Sequence, residues 1–327
     1  MAKVLSLRTA SREENEELNR VLRAAQFRYG NYPGVSGIGV GVKYRRMEGK
    51  PQATDEVAII FFIEKKEDSP SRRLPRYFYG RFRDGRVNRH RRIKTDVIQV
   101  GRVEPACRAG SDVSSFGESG TITLLFRNKL PSDPSYYLLT CSHVVGDMDY
   151  SPPLVPNLGS QCCPNVYPFA VTIKNSVIGP VMPYDIALAK VTDKALDELG
   201  HANLPQLDAA VAGTTKGVKR ILPSDQIELH DEVQGAVASG IPKSGEVSAL
   251  GTNIKLKYDG KAVSVSDLYT VRFDVARGDS GGLIYRNESA IGIIIARSRE
   301  GWTWFHPLDN ALVFLDSLDP SVALKIF

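Results

Sequence analysis

The sequence predicts a mainly β protein: a β-rich region over residues 106–327, preceded by a small α+β region over 1–105. Two observations carry that expectation. From about residue 106, short Val-, Ile- and Leu-rich runs recur, each bounded by Gly, Pro, Asn or Asp. Many short strands separated by turn signals fit β-barrels or a sandwich. Long helical periodicity, by contrast, is sparse.

The leading region opens on a helix over 11–28. Ser11 and Glu14 stand at capping-box spacing, and Leu18, Val21, Leu22 and Ala25 share one face. Gly30, Asn31, Pro33 and Gly34 then break the helix. Strands are expected at Val35–Tyr44, Glu56–Glu64 and Thr95–Val100. Between them, residues 71–94 hold ten Lys or Arg against one Asp, with Tyr77, Phe78, Tyr79 and Phe82 interleaved. Such a run reads either as a polyanion-binding arm or as a solvated loop or edge strand protected by its charge. No nucleic-acid motif accompanies it, which favours the second reading.

Beyond 106, the expected strands are Thr121–Phe126, Tyr137–Thr140, Ile186–Val191, Val247–Leu250, Ile254–Tyr258, Tyr269–Phe273, Gly282–Tyr285 and Ala290–Ala296. A closing helix after Pro307 would bury Leu308, Leu312 and Leu315, with proline near its first turn.

Composition narrows the class. The 327 residues are 42% hydrophobic and 24% charged, ordinary for a globular chain able to bury a sizeable core. A net charge of +5 is too small to argue for nucleic acid unless it is concentrated. No apolar run approaches membrane-spanning length. The polar start lacks a secretory signal pattern, so the expected location is the cytoplasm. Cys107, Cys141, Cys162 and Cys163 make no disulfide framework and no C-x-x-C spacing, so reduced thiols and no metal or cofactor are expected.

Three segments carry chemistry: LLTCSHVVGD at 138–147, PYDIALAKV at 183–191 and ARGDSGGLIY at 276–285. A serine hydroxyl is a weak nucleophile that needs a base, and its attack on a carbonyl creates an oxyanion. In the third segment, Gly278 lets the backbone turn so that its N–H and that of Ser280 can serve as oxyanion donors. Alone, that segment has a Gly-rich loop between strands as its alternative reading. The base must come from His90, His143, His201, His230 or His306. His143 sits where a strand-like run meets a turn, a placement a structural histidine would share. Asp185 precedes a buried run, where a carboxylate needs a partner and an imidazole N–H is a suitable one; a turn-forming aspartate after Pro183 is the plainer alternative.

Taken jointly and in the order His, Asp, Ser, these segments resemble the trypsin–chymotrypsin superfamily of serine peptidases over roughly 106–327. The resemblance implies two six-stranded antiparallel β-barrels, at about 106–200 and 201–327, behind a small α+β N-terminal domain. His143, Asp185 and Ser280 would form the catalytic triad in the cleft between them, with Gly278 and Ser280 as the oxyanion hole. It implies a serine endopeptidase that works through an acyl-enzyme on protein or peptide substrates. Asp274, six residues before the nucleophile, would floor the primary specificity pocket and favour Lys or Arg. Arg277 would adjoin the substrate, whose backbone would pair with Ala296, Arg297 and Ser298 as an added strand. A non-catalytic or latent binding module on the same fold is the alternative.

Departures from the family pattern are informative. Cys141 precedes His143 where secreted relatives carry a disulfide cysteine after the histidine, and the absence of disulfides points to a bacterial, intracellular branch. Asp279 matches the acceptor for a freed amino terminus, yet no Ile-Val-Gly-Gly stands near 105–120. The region 1–105, similar to the leading region of some bacterial and plant trypsin-like proteins, is thereby a candidate to control the site or to bind a regulatory partner.

Overall fold

The computed structural model describes residues 11–47, 50–66, 73–105, 113–115, 118–128, 135–145, 155–156, 170–175, 181–193, 218–237, 241–258, 261–318 and 324–326. Cys107, Cys162, Cys163 and His201 lie outside them. The chain begins with α1 (Arg12–Tyr29), β1 (Val35–Met47), β2 (Lys50–Ile63), β3 (Tyr77–Arg81), β4 (Val87–Gln99) and β5 (Val103–Pro105). There follow β6 (Val113–Ser115), β7 (Glu118–Gly120), β8 (Leu125–Asn128), β9 (Tyr136–Thr140), α2 (Ser142–Val145), β10 (Val155–Pro156), β11 (Ala170–Asn175), β12 (Val181–Met182) and β13 (Ala187–Val191). The last part contains β14 (Arg220–Ile221), β15 (Glu232–Ala236), β16 (Lys243–Tyr258), β17 (Lys261–Val271), β18 (Leu283–Arg286), β19 (Ser289–Ser298), β20 (Thr303–Pro307), α3 (Leu308–Leu318) and β21 (Leu324–Ile326). The fold is mainly β, as expected.

The strands β15 to β20 close into a ring. Their order β17-β20-β19-β18-β15-β16 is completed by β16 pairing with β17. Every pairing in the ring is antiparallel. Closure leaves these strands few open edges, the usual answer to the edge problem in small barrels. Among the described residues, the preceding region forms four strands of a five-stranded sheet, β11-β13-β9-β8-β21, which β21 completes from beyond the ring, and a three-stranded piece, β10-β6-β7.

The α1 helix has the expected cap: the Glu14 N–H donates to Ser11 Oγ at 3.2 Å, and the Ser11 N–H donates to the Glu14 carboxylate at 2.8 Å. Leu18, Val21, Leu22 and Ala25 are buried on its inner face. The basic run forms the hairpin β3–β4 at the outer edge of the sheet. Much of its charge is matched locally. Arg91 lies 3.2 Å from Glu14 and 3.0 Å from Glu17, and Arg83 lies 3.4 Å from Glu16. Arg92 sits 4.8 Å above the Tyr77 ring.

Residues on the two sides of position 105 share sheet and core. β1 pairs antiparallel with β16, matching Gly37 to Ile254 and Val40 to Leu250. The Phe62 ring of β2 packs edge-on against Trp302 and Trp304 at 5.9 and 5.7 Å. Both hydrophobic clusters draw residues from either side.

Several strands differ from their expected bounds. The runs at Val247–Leu250 and Ile254–Tyr258 are one strand, β16, which shifts register around Gly251, a residue with φ of 60°. The strand expected from Tyr269 starts earlier, at Lys261, and Phe273 lies beyond its end. Regular pairing of the run at 121–126 starts at Leu125; before it, the Thr121 N–H donates to the Ser280 carbonyl and not to a neighbouring strand. No helix among the described residues is long and apolar enough to cross a membrane.

Phe62→Ala should cost about 3–5 kcal/mol, the range for emptying a buried aromatic site. Because Phe62 packs on β20, denaturant unfolding should show one transition moved as a whole. A second transition that stays put would mean that the two sides unfold independently.

Candidate active site

Asp185 and His143 are brought together by strand pairing. β9 lies antiparallel to β13 with Thr140 opposite Ala187, so the end of one strand adjoins the start of the other. Just past β9 the one-turn helix α2 carries His143; just before β13 stands Asp185. The Ser142 hydroxyl donates to the Ile186 carbonyl at 2.7 Å and ties the two ends. The His143 backbone N–H donates to Asp185 Oδ1 at 3.1 Å, and His143 Nδ1 bonds Asp185 Oδ2. A carboxylate accepts only, so Nδ1 carries the proton and Nε2 is the acceptor. Ser280 Oγ stands 2.8 Å from that Nε2.

Ser280 belongs to the barrel. It lies in the connection from β17 to β18, and that connection is clamped from two sides. On the barrel side, Gly281 N–H donates to the Ile294 carbonyl and Ile294 N–H to the Gly282 carbonyl, both at 2.8 Å. On the other side, Thr121 N–H donates to the Ser280 carbonyl at 2.6 Å. The Thr121 hydroxyl donates to the Gly278 carbonyl at 2.8 Å and the Thr123 hydroxyl to the Gly281 carbonyl at 2.6 Å. Gly278 and Gly281 have φ of 104° and 89°, the left-handed region that glycine enters at little cost. A Cβ on Gly281 would run into the Thr121 carbonyl. Gly278 and Ser280 are buried residues, and their N–H groups donate to no acceptor among the described residues.

The site lies in the interior. Asp185 and Ser280 are 0% exposed and His143 is 6% exposed. Burial pushes the Asp185 carboxyl up. Attraction to the His143 ring in its protonated form, the ring N–H, the Tyr258 hydroxyl and the His143 amide outweigh that and hold it below the usual carboxylate range. The Tyr258 hydroxyl donates to Asp185 Oδ2 at 2.7 Å, and its ring stacks on the His143 imidazole at 5.1 Å. Behind the carboxylate, the Asp185 N–H donates to Nε2 of His306 at 2.9 Å. Burial lowers the His306 pKa to about 4, only partly offset by the nearby Asp185 charge.

Ligating atoms of Cys141, His143 and Asp185 lie within 4.8 Å of one another. Each is already engaged, since the Cys141 thiol donates to the Ile294 carbonyl at 3.2 Å and the other two bond each other. The hydrogen-bond pattern therefore accounts for the cluster without an ion.

Other residues singled out in the sequence are dispersed. Asp274 is exposed and has no hydrogen bond or ion pair among the described residues. Asp279 accepts the Ala276 N–H of its own loop at 2.7 Å. Arg277 extends outward to Glu104 at 3.0 Å. Ala296, Arg297 and Ser298 are already paired, with β5. Tyr258, His306, Thr121 and Thr123 were not read from the sequence as parts of this site. His306 stood among the five histidines, but no local motif marks any of the four.

No family model and no curated protein matches the chain. Among solved structures, a glutamic-acid-specific serine protease described as using a histidine triad in substrate binding is 15% identical, with a TM-score of 0.44, over 67% of this chain and 99% of that one. Thermobifida fusca protease A is 15% identical with a TM-score of 0.40, over 67% of this chain and 97% of its own. A Nocardiopsis protease is 14% identical with a TM-score of 0.40, over the same two fractions. Overlap of this extent assigns no residue a role.

His306 makes stability depend on pH. Unfolded, its imidazole takes up a proton near pH 6.5; folded, it does so only near 4. Its contribution is complete above pH 6.5 and is lost as the pH falls toward 4, by about 3 kcal/mol in all. In His306→Gln the side-chain amide oxygen can still accept the Asp185 N–H but does not titrate. The loss of stability between pH 7 and 4.5, read by denaturant unfolding, should shrink by about 2–3 kcal/mol in that variant. An unchanged loss would rule out the buried neutral imidazole.

Proposed function

We propose that the protein is a serine endopeptidase in which Ser280 is the nucleophile, His143 the base and Asp185 the group that fixes the imidazole. The observation that carries this reading is the unbroken run of hydrogen bonds from Asp185 through His143 to Ser280, beside the amides of two buried residues without an acceptor among the described residues. Each part has a chemical use. Ser280 Oγ attacks the substrate carbonyl carbon while its proton passes to His143 Nε2. The carbonyl oxygen takes the negative charge and is met by the N–H groups of Gly278 and Ser280. The imidazolium, stabilised by Asp185, then protonates the departing amine, leaving an ester on Ser280. Water, deprotonated by the same Nε2, hydrolyses that ester and restores the serine.

Tyr258 has a supporting place in the scheme. Its hydroxyl holds the carboxylate and its ring packs on the base, so it positions Asp185 and His143 without touching the substrate. The exposed Asp274 carboxylate is the group we assign to attract a Lys or Arg side chain of the substrate.

A serine-directed phosphonate should label the wild-type chain on Ser280, and Ser280→Ala should abolish labelling and lower peptide turnover by at least about a thousandfold. Failure of the wild type to react with the phosphonate under any condition would contradict the nucleophile and favour a binding module on this scaffold. Tyr258→Phe removes one hydrogen bond to a charged group, about 1.5–3 kcal/mol. Since it meets no substrate, kcat should fall some tenfold to a hundredfold with KM nearly unchanged, and the acid limb of the pH profile should move up. A fall through KM alone would place Tyr258 at the substrate instead.

A further inference from the structure

The barrel edge next to Ser280 is already occupied by the chain itself. On that side of β19, pairing with β18 ends at Ile293, opposite Leu283, and the serine loop follows at Ile294. Beyond it, the stretch Ala296–Ser298 pairs antiparallel with β5: Ser298 with Val103, Arg297 with Glu104 and Ala296 with Pro105. Going from Val103 to Pro105, the chain runs along β19 toward Ile295, whose carbonyl stands 3.4 Å from Ser280 Oγ. That is the direction in which an extended peptide would approach the nucleophile from its amino-terminal side. The side chain opposite Arg297 is also specific. Glu104 Oε2 lies 3.0 Å from Arg277, and Glu104 Oε1 lies 3.9 Å from Nε of Arg297. Arg297 itself is held in place by a 2.6 Å hydrogen bond from Nη1 to the Val275 carbonyl.

Building on the peptidase reading, we propose that Val103–Pro105 is an internal competitor lying on the substrate edge, and that its Glu104 marks what the edge selects: an extended peptide with an acidic residue opposite Arg297. The competitor is favoured by its tether, which keeps its local concentration high whatever the concentration of outside peptide. It is held by few groups: two backbone-paired residues, a proline that cannot donate, and one carboxylate between two guanidinium groups. A strand so short is readily displaced when its charge contacts are removed. The complete burial of Ser280 accords with an edge already filled. Arg277 and Arg297 are then specificity-determining residues, met in the resting chain by Glu104 and in the working enzyme by the substrate's acid.

The test separates occupancy from chemistry. A fluorescent peptide, Gly-Arg-Val-Glu-Pro-Ala, is titrated into full-length Ser280→Ala protein and into the same protein also carrying Glu104→Lys, which places like charge against both arginines. Glu104→Gln, a milder change with the fold checked by melting, serves as a second way to weaken the contact. The account expects the peptide to bind both Glu104 variants at least about tenfold more tightly than the parent, and a peptide with Lys in place of Glu to lose that binding. It also expects Arg277→Ala with Arg297→Ala to erase the preference for the acidic peptide. Equal binding by parent and variants, or no difference between the Glu and Lys peptides, would overturn it. In chains retaining Ser280, Glu104→Lys should raise peptide turnover about tenfold. If peptide binding responds as stated and no chain turns over peptide or takes the phosphonate, the peptidase reading fails while the occupied edge stands.

Discussion

A carboxylate with no exposure to water is the constraint on which the rest of the structure depends. Asp185 sits at the start of β13, 0% exposed, and an ionised group taken out of water costs several kcal/mol unless its lone pairs are met. Here three donors meet them: the His143 ring, the His143 amide and the Tyr258 hydroxyl. Those donors come from α2 and from the far end of β16, so satisfying one buried oxygen pair docks the five-stranded sheet on the barrel. The same bonds fix which imidazole nitrogen is bare, and the bare one faces Ser280. Structural necessity and chemical readiness are one arrangement.

The serine is held by a complementary set of contacts. Its loop hangs on β19 through Gly281 and Gly282 and is bridged from the other side by Thr121 and Thr123. The Thr121 N–H, which donates to the Ser280 carbonyl and not to a neighbouring strand, delays the start of β8, and the two hydroxyls add side-chain bridges to the loop. His306 contributes from behind by accepting the Asp185 N–H, and it does so only as a neutral ring. The machinery is therefore assembled from stretches far apart in the chain, none of them able to form the site alone.

Much of this was legible in the sequence, and the limits are physical. His143, Asp185 and Ser280 stand in short motifs whose order is informative, and α1 announces itself by its cap and its apolar face. Strands with dense Val and Ile, such as β2 and β19, were visible for the same reason. Tyr258 was not, because what makes it matter is the register of β16 against β17 and the docking of another sheet, neither encoded near residue 258. The alternation at Ala262–Val265 is a readable strand signal within β17. β5 is three residues long and carries no pattern, and its importance comes from the edge it fills. The basic run at 71–94 was ambiguous because composition does not say where counter-charges lie, and they lie on α1. Pairing of β1 with β16 and packing of Phe62 on the tryptophans join residues on both sides of position 105, contacts that no local motif encodes.

The state of the His143 ring tests this account most directly. Nitrogen-15 NMR of histidine-labelled protein reports which ring nitrogen carries the proton. The account predicts the Nδ1–H form for His143 at neutral pH, with Nε2 showing the shift of a hydrogen-bond acceptor, and exchange of the two in Asp185→Asn, whose amide can donate to Nδ1. An Nε2–H ring in the wild-type chain, or a ring indifferent to the loss of Asp185, would contradict it.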